Sequence, residues 1–506
     1  MARFRWKFSL RLKAAVIVVS GWPFGFPGDP SKGHVPAAED AAFGRLACPS
    51  LTRLNLQQKK SESLLLRSVE AESPTQWKFT LKSDLFWWSG KPVTSLDLAT
   101  FLREEVCSAV TGVFGADFTC PKFEVTELDG GAKGAPPTAT VVWQSQPEFG
   151  PYILNDRAFF HRSGNAGIEC AGLYRYRNMG QSQVEFLPAQ GYLQKRPVLQ
   201  FNEVREGRQS HKSQLDFTFA AGMPKGQLCS HEGLFPAVVG ILWNDRANGI
   251  LATSPQARKA LTQILPRGEL LRAGAQGLGE LVTSFIPRQH PGYNHSLRIR
   301  PYSVEEASVA FEKSGWPRAK AEAPRIDLKT GKPAVLRFLV QDPDSMGNDL
   351  LQKVVGDSLA LLGIQSEFIA EAADKTLDKT IDKAMPPEGL AVASDSKTFD
   401  GVIGVFAADW PAVNIVQSGD SNRMLQKFTK SKFFRQADTQ QLARVYATSL
   451  TTASPDFTAL QRFHEKLYDA ELFSPVIQLG TCLDRSASPP SKVDFTDPDW
   501  LKQLVL

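Results

Sequence analysis

The plainest pattern along the chain is Gln76–Lys82, where Trp77, Phe79 and Leu81 alternate with polar residues. Alternation with period two turns one face to a core and the other to water, so it predicts a half-buried strand. Ser89-Gly90-Lys91-Pro92 follows as a turn, and Thr94 with Asp97 opens a helix expected to run to about Ser108. That three-residue spacing lets the two side chains take the first free backbone N–H groups of a helix. Phe123–Leu128 and Thr138–Trp143 predict a hairpin closed by the loop Asp129–Pro137. Upstream, Gly44–Ala71 reads as a strand–helix passage, with Leu46, Leu51, Leu54 and Leu64–Leu66 as its apolar positions.

Further strands are expected at Leu173–Arg177, Gln183–Leu187, Leu199–Glu206 and Leu234–Trp243, with a helix at Gln209–Asp216. From Ser254 the period becomes helical. One helix runs from Ser254 or Pro255 to Leu265, another over Ser303–Lys313 with Val304, Ala307, Ala310 and Phe311 on one face. Ala334–Val340, Asp349–Leu362 and Ser366–Ala370 form a β-α-β unit whose helix stops at Gly363. Lys375–Ala393 reads as a surface excursion. Phe399–Phe406 predicts a buried strand ending in Ala407-Ala-Asp-Trp-Pro411, and Pro455–Asp469 a helix leading into a strand at Ser474–Leu479.

At 506 residues the chain exceeds one ordinary core, which predicts two or three domains. The net charge of +5 is spread along the chain, so there is no basic arm to suggest nucleic acid. No apolar run approaches the roughly 20 residues a membrane helix needs. Arg3, Arg5, Lys7, Arg11 and Lys13 precede an apolar stretch like an export signal, but that stretch is short and Trp22-Pro23 interrupts it. The favoured reading is a first strand at Leu10–Ser20, with an export signal either missing from this start or overlapped by Met1–Lys13. None of Cys48, Cys107, Cys120, Cys170, Cys229 and Cys482 forms a C-x-x-C pair, which speaks against a zinc knuckle or a thioredoxin-like motif. Cys107 and Cys120 are nearest in sequence, and disulfides and free thiols are equally open. The histidines are scattered without H-E-x-x-H, and His290 and His295 read as surface-loop residues flanking Pro291-Gly292-Tyr293. Gly274-x-x-Gly277-x-Gly279 lacks the strand context of a dinucleotide loop, Gly130–Gly134 reads as a hairpin turn, and there is no G-x-S-x-G. Catalysis, a cofactor and a resident metal are therefore not expected.

Six motifs in order carry a resemblance. They are Trp77-x-Phe79-x-Leu81 with Trp88-x-Gly90-x-Pro92-x-Thr94-x-x-Asp97; Ala171-Gly172-Leu173-Tyr174; Leu242-Trp243-Asn244 with Arg258-x-Ala260-Leu261; Gly363-Ile364; Phe399-Asp400-Gly401 running to Ala408-Asp409-Trp410-Pro411; and Phe473-Ser474-Pro475-Val476-Ile477. Together they resemble the extracellular solute-binding proteins of family 5 (cluster C), the peptide- and nickel-type substrate-binding components of ABC transporters. Lys82 stands where that family usually has Arg, Ser89 where it has Asp, and Leu173 where it has Pro. The resemblance implies an α/β, two-lobed periplasmic-binding-protein-like (type II, cluster C) fold with an extra inserted subdomain. Lobe I would comprise 1–54, 160–244 and 476–506, the inserted subdomain 55–159, and lobe II 245–475. Chain crossings near Trp243 and Pro475 would form the hinge.

The function implied is capture of a peptide or other small-molecule ligand outside the cytoplasm, in the periplasm or held near the membrane by the permease subunits of an ABC importer. A monomer without nucleic acid is implied, and the alternative is a sensor or interaction protein that keeps the clamp without transport. Asp409 is the leading ligand-binding candidate: in peptide-binding relatives the matching aspartate pairs with the ligand's α-amino group, and Asp409 follows a strand end where open α/β sheets take ligands. Trp410 and Trp243 are candidate aromatic walls, and Asn244 is a candidate for backbone contacts at the hinge. Pro411-Ala412-Val413 departs from the family's P-D-P, which loosens any peptide-specific claim. Trp77, Phe79, Trp87 and Trp88 are assigned to packing, and Thr94 with Asp97 to capping.

Overall fold

In the computed structural model, residues 16–20, 47–55, 58–114, 118–128, 135–162, 167–180, 183–189, 198–202, 215–219, 231–244, 249–274, 278–320, 322–340, 348–370, 399–407 and 436–485 are described. Eleven of the described strands join into one sheet: β1 (Val16–Ser20), β2 (Tyr174–Gly180), β3 (Gln183–Pro188), β4 (Val198–Asn202), β5 (Leu215–Phe219), β6 (His231–Trp243), β7 (Gly279–Glu280), β8 (Val335–Val340), β9 (Gln365–Ala370), β10 (Gly401–Ala407) and β11 (Phe473–Arg485). Their order is β2-β3-β4-β1-β5-β11-β6-β10-β8-β9, with β7 on β11. The first strand is real at Val16–Ser20, lying parallel to both β4 and β5. The segment expected to be helical around Gln209–Asp216 contributes a strand at its described end, because Leu215 and Asp216 pair with Arg485 and Asp484.

The strands β2 and β3 share a hydrophobic cluster with residues between 47 and 171, a span that contains the expected insertion at 55–159, so these parts pack as one body. The insertion has its own four-stranded sheet, ordered Leu66–Ser73, Gln76–Leu81, Thr138–Trp143, Phe123–Leu128, covered by α1 (Ser95–Phe114). Gly44–Ala71 departs from its expected strand–helix form. Thr52–Asn55 and Lys60–Ser63 pair antiparallel, and Leu66 starts the next strand. The leucines at 64–66 are too few to sustain a helical face, and the pairing partners decide the conformation instead.

The Trp-x-Gly-x-Pro motif now has a mechanical meaning. Thr94 Oγ1 accepts from the Asp97 N–H at 3.2 Å while Asp97 Oδ2 accepts from the Thr94 N–H at 2.8 Å, a reciprocal N-terminal cap. Asp97 also accepts the Trp87 indole N–H at 3.3 Å, which seats the aromatic run on the helix start. The Trp88 indole reaches back to the Ala47 carbonyl at 3.1 Å. Ser89 donates to Glu169 Oε2 at 2.7 Å, a contact that a carboxylate at position 89 could not make without facing a second carboxylate. Disulfides join Cys48 to Cys170 and Cys107 to Cys120, resolving for these four what spacing left open.

The other half of the sheet is apolar on both faces. One face packs Val238, Leu242 and Phe473 against 282–293 and the helical hairpin α5 (Ala437–Leu450) and α6 (Thr458–Ala470). The opposite face packs Ile241, Trp243 and Phe338 against α2 (Pro255–Ile264), α3 (Val304–Lys313) and α4 (Asn348–Leu361). The chain therefore has separate cores at the two ends of one sheet, as two lobes require. Gly363 ends α4 at φ 76°, a left-handed cap that a side chain would strain. Helix α5 was not foreseen. Its last-turn residues Tyr446, Ala447 and Leu450 are buried, but they follow a long stretch without periodicity.

Arg258, 4% exposed, donates to the carbonyls of Ala470 (2.7 Å), Glu471 (3.0 Å) and Leu251, a cation placed at the carboxyl end of α6. Arg258→Ala leaves these carbonyls buried without their donor, so unfolding in urea is expected to show a loss of about 3 kcal/mol at unchanged m value. A loss within error of zero would show that the arginine only fills space.

Candidate functional site at the strand crossing

Only two described strands, β6 and β11, have pairing partners at both ends of the large sheet. In β11, Thr481–Arg485 pairs with β5, while Phe473–Gln478 pairs with β6 inside the second lobe. In β6, His231–Leu234 pairs with the far end of β11, and Ala237–Trp243 pairs with β10. The register breaks between Leu234 and Val238. The passage between lobes thus falls near 235–237 and 479–480, whereas Trp243 and Pro475 sit inside the second lobe's sheet.

At that crossing β7 is laid against β11 by two glycines. A Cβ on Gly279 would come 2.5 Å from the Gln478 carbonyl oxygen, and one on Gly480 would come 2.5 Å from the Gly279 nitrogen. Gly279 also holds φ 116°. Gly279 and Gly480 therefore serve close backbone approach.

Strand β10 ends at Ala407, opposite Ala237, where β6 leaves the second lobe. Asp409 and Trp410 come two and three residues later and lie outside the described residues, as do Lys375–Ala393 and Gly130–Gly134. Trp243 is 4% exposed, packs 6.0 Å from the Phe338 ring, and donates its indole N–H to Ser474 Oγ at 2.8 Å. The structure thus places Trp243 in the second core rather than on a cleft wall: it sits on an inward-facing position of a strand covered on both faces. Asn244 donates its backbone N–H to the Asp400 carbonyl at 2.9 Å and its side-chain amide to the Phe399 carbonyl at 2.9 Å. Asp400 in turn accepts the Arg337 N–H at 3.0 Å, and burial raises its carboxyl pKa. Two separate motifs, Trp243-Asn244 and Phe399-Asp400, are one bonded unit that fixes how β10 runs toward the crossing.

Polar groups gather beside the crossing that the sequence did not mark. Gln478, 0% exposed, accepts the Arg288 N–H at 2.9 Å and donates to Gln289 at 2.8 Å, and Arg288 pairs with Glu280 at 3.1 Å. His290, expected on a surface loop, is fully buried edge-on to Phe457, while His295 is exposed. The Gly292 N–H donates to His290 Nδ1 at 2.9 Å, so the ring proton sits on Nε2, which has no hydrogen-bond partner among the described residues. The sequence signal for this burial is Pro291-Gly292-Tyr293: a Cβ on Gly292 would come 2.2 Å from Leu460 and 3.0 Å from His290 Nδ1, so the glycine lets the loop fold back there. His464 Nδ1 accepts from the Asn294 N–H at 2.9 Å, and its Nε2–H donates to Thr283 Oγ1 at 3.2 Å. Burial pushes both imidazoles down to about 3.

No protein-family profile matches the sequence, and no curated protein matches it in sequence. Solved structures do match in fold. NikA from Brucella suis, in complex with Fe(III)-EDTA, has a TM-score of 0.67 at 12% identity, with 97% of this chain and 99% of that chain covered. NikA from Staphylococcus aureus, in complex with Ni(L-His)2, has a TM-score of 0.65 at 14% identity, covering 96% and 98%. The oligopeptide-binding protein AppA from Bacillus subtilis, in complex with a nonapeptide, has a TM-score of 0.65 at 12% identity, covering 97% and 99%. At these identities the likeness is one of fold: a two-lobed α/β architecture over nearly the whole chain.

The two buried histidines make stability pH-dependent. Their folded pKa lies below the unfolded value near 6.5, so the unfolded chain binds more protons in between. Their contribution is fully present above about pH 6.5 and is lost as pH falls toward 3. Asp400 and Glu471, with carboxyl pKa values raised by burial, act in the opposite sense. His290→Asn keeps an acceptor for Gly292 and cannot ionise. Its urea midpoint is expected to fall less between pH 6.5 and 4 than the wild-type midpoint, and equal slopes would refute the assignment.

Proposed function

We propose that this protein is an extracytoplasmic solute-binding protein that takes a peptide-like or similar small polar solute between its lobes and delivers it to an ABC importer. The observation that carries the reading is the pair of shared strands, β6 and β11, joining separately cored lobes in a chain whose fold likeness to ligand-binding clamps spans both lobes. Two strands in extended conformation can absorb a small dihedral change at 235–237 and 479–480 while each core stays rigid. The compartment is supported by the disulfides, which form and persist in oxidising surroundings. No helix among the described residues is long and apolar enough to cross a membrane.

The work asked of a guest is to bias an equilibrium between open and closed lobes, with no covalent step. Moving such an equilibrium from 1:99 to 99:1 takes about a ten-thousand-fold preference for the closed form. Contacts to both lobes supply that preference only when the lobes close. Asp409 is our candidate for a charge-assisted contact with a ligand ammonium group, because the strand leading to it ends beside the crossing. Trp410, next along the chain, is the candidate aromatic wall.

Native mass spectrometry of freshly purified protein, offered a mixture of short peptides and separately nickel–histidine, tests the reading. A retained peptide is expected, with Asp409→Ala weakening its binding by about tenfold or more at unchanged fold. Retention of neither class would overturn the proposed function. Unchanged affinity in Asp409→Ala would remove that residue from the site.

A further inference from the structure

The lobes touch at a place away from their shared strands. The tip of the α5–α6 hairpin, Leu450–Ala453, belongs to the second lobe and is inserted into the first. Its carbonyls meet donors from the insertion. Tyr152 N–H donates to the Thr451 carbonyl at 3.1 Å, Asn155 Nδ2 to the Leu450 carbonyl at 3.1 Å, and Ser61 N–H to the Ala453 carbonyl at 2.8 Å. Ser61 Oγ donates to the Thr452 carbonyl at 2.8 Å, and Gly150 N–H donates to Thr451 Oγ1 at 2.7 Å. A helix ends with carbonyls that have no partner of their own, and here another lobe supplies the donors.

The contact is buried at its Thr451 end, whereas Thr452 and Ala453 are exposed. Thr451 is 0% and Asn155 5% exposed. Leu54 of the first lobe packs in the cluster of Tyr446 and Leu450, and Ala447 of the second lobe packs in the first lobe's cluster. An exposed ion pair, Arg444 with Glu148, borders it. Gly150 is required by the fit: a Cβ there would strike the Thr451 carbonyl, and the three nearest heavy atoms all belong to Thr451. Its φ of −100° and ψ of 178° suit any residue, so the glycine serves the docking and not its own backbone.

We infer that the hairpin tip and its socket form a clasp that holds the two lobes in the arrangement seen here without a guest, so that admitting a guest requires the tip to undock. The clasp itself is a property of the fold, and its consequence for ligand entry rests on the solute-binding reading. With the lobes tied in this way, the rate at which a guest is taken up is set by undocking.

Hydrogen–deuterium exchange of the full, ligand-free chain, read at single amides, tests the clasp. The amides of Ser61, Gly150 and Tyr152 lie in the first lobe and donate to the hairpin, whereas those of Leu81 and Trp243 donate within their own lobes. Slow exchange is expected at all five. Gly150→Leu wedges the tip out and is expected to speed Ser61 and Tyr152 by about tenfold or more, with Leu81 and Trp243 unchanged and a larger radius of gyration in X-ray scattering. Asn155→Ala is expected to act in the same direction, which keeps the test available if the wedge variant does not fold. Fast exchange at Ser61, Gly150 and Tyr152 in the wild type would sink the clasp, and so would acceleration equal at all sites or scattering that does not change. A failure to retain any guest would count against the solute-binding reading while leaving these exchange rates as they are.

Discussion

The constraint on which the molecule depends is that two strands must serve two sheets' worth of partners at once. β6 and β11 each spend one end on the first lobe and the other on the second. Every backbone N–H and C=O buried there needs a partner, so the change of partners has to occur within a few residues, and the register break in β6 is where it occurs. Gly279 and Gly480 let a further strand segment close over the same place at a separation no side chain would allow. The positions of β10, and so of whatever follows Ala407, are consequences of that arrangement.

Within the second lobe, polar side chains act mostly as connectors. Arg258 holds the end of α6, Asn244 and Asp400 fasten two distant segments, and Glu471 is buried between Arg300 and Thr262 at a left-handed position. Each is satisfied within the second lobe. A buried ion pair of this kind adds little net stability over apolar packing, but removing one partner is costly because the other is left charged and dry. The second lobe is accordingly a stiff body, suited to move as a unit.

The sequence was most readable where local chemistry decides the outcome. The strand at Gln76–Leu81, the cap at Thr94 and Asp97, the hairpin from Phe123 to Trp143 and the β-α-β unit around Gly363 are all found where patterning puts them. It was least readable where partners far along the chain decide. Leu64 and Leu65 became a bend between strands and Leu66 the start of the next one, Leu215 joined β11 and not a helix, and His290 was buried by a loop that only tertiary contacts close. Trp243 and Asn244 were found by motif, and their structural jobs could not be: an indole on an alternating strand is equally compatible with a cleft and a core. The docking of Thr451 into the insertion joins positions 301 residues apart, and nothing in either segment's periodicity points to the other.

The bond between Cys48 and Cys170 spans 122 residues and closes the insertion into a covalent ring at its stem, where chain enters and leaves the first lobe. A ring cannot be shed by a single cut. A protease that nicks one exposed loop between these cysteines leaves both pieces attached to the rest of the molecule, held by sulfur as well as by packing. The damage would become visible as two fragments only after a thiol reductant is added, so the insertion can tolerate surface wear that would dismember an unstapled domain.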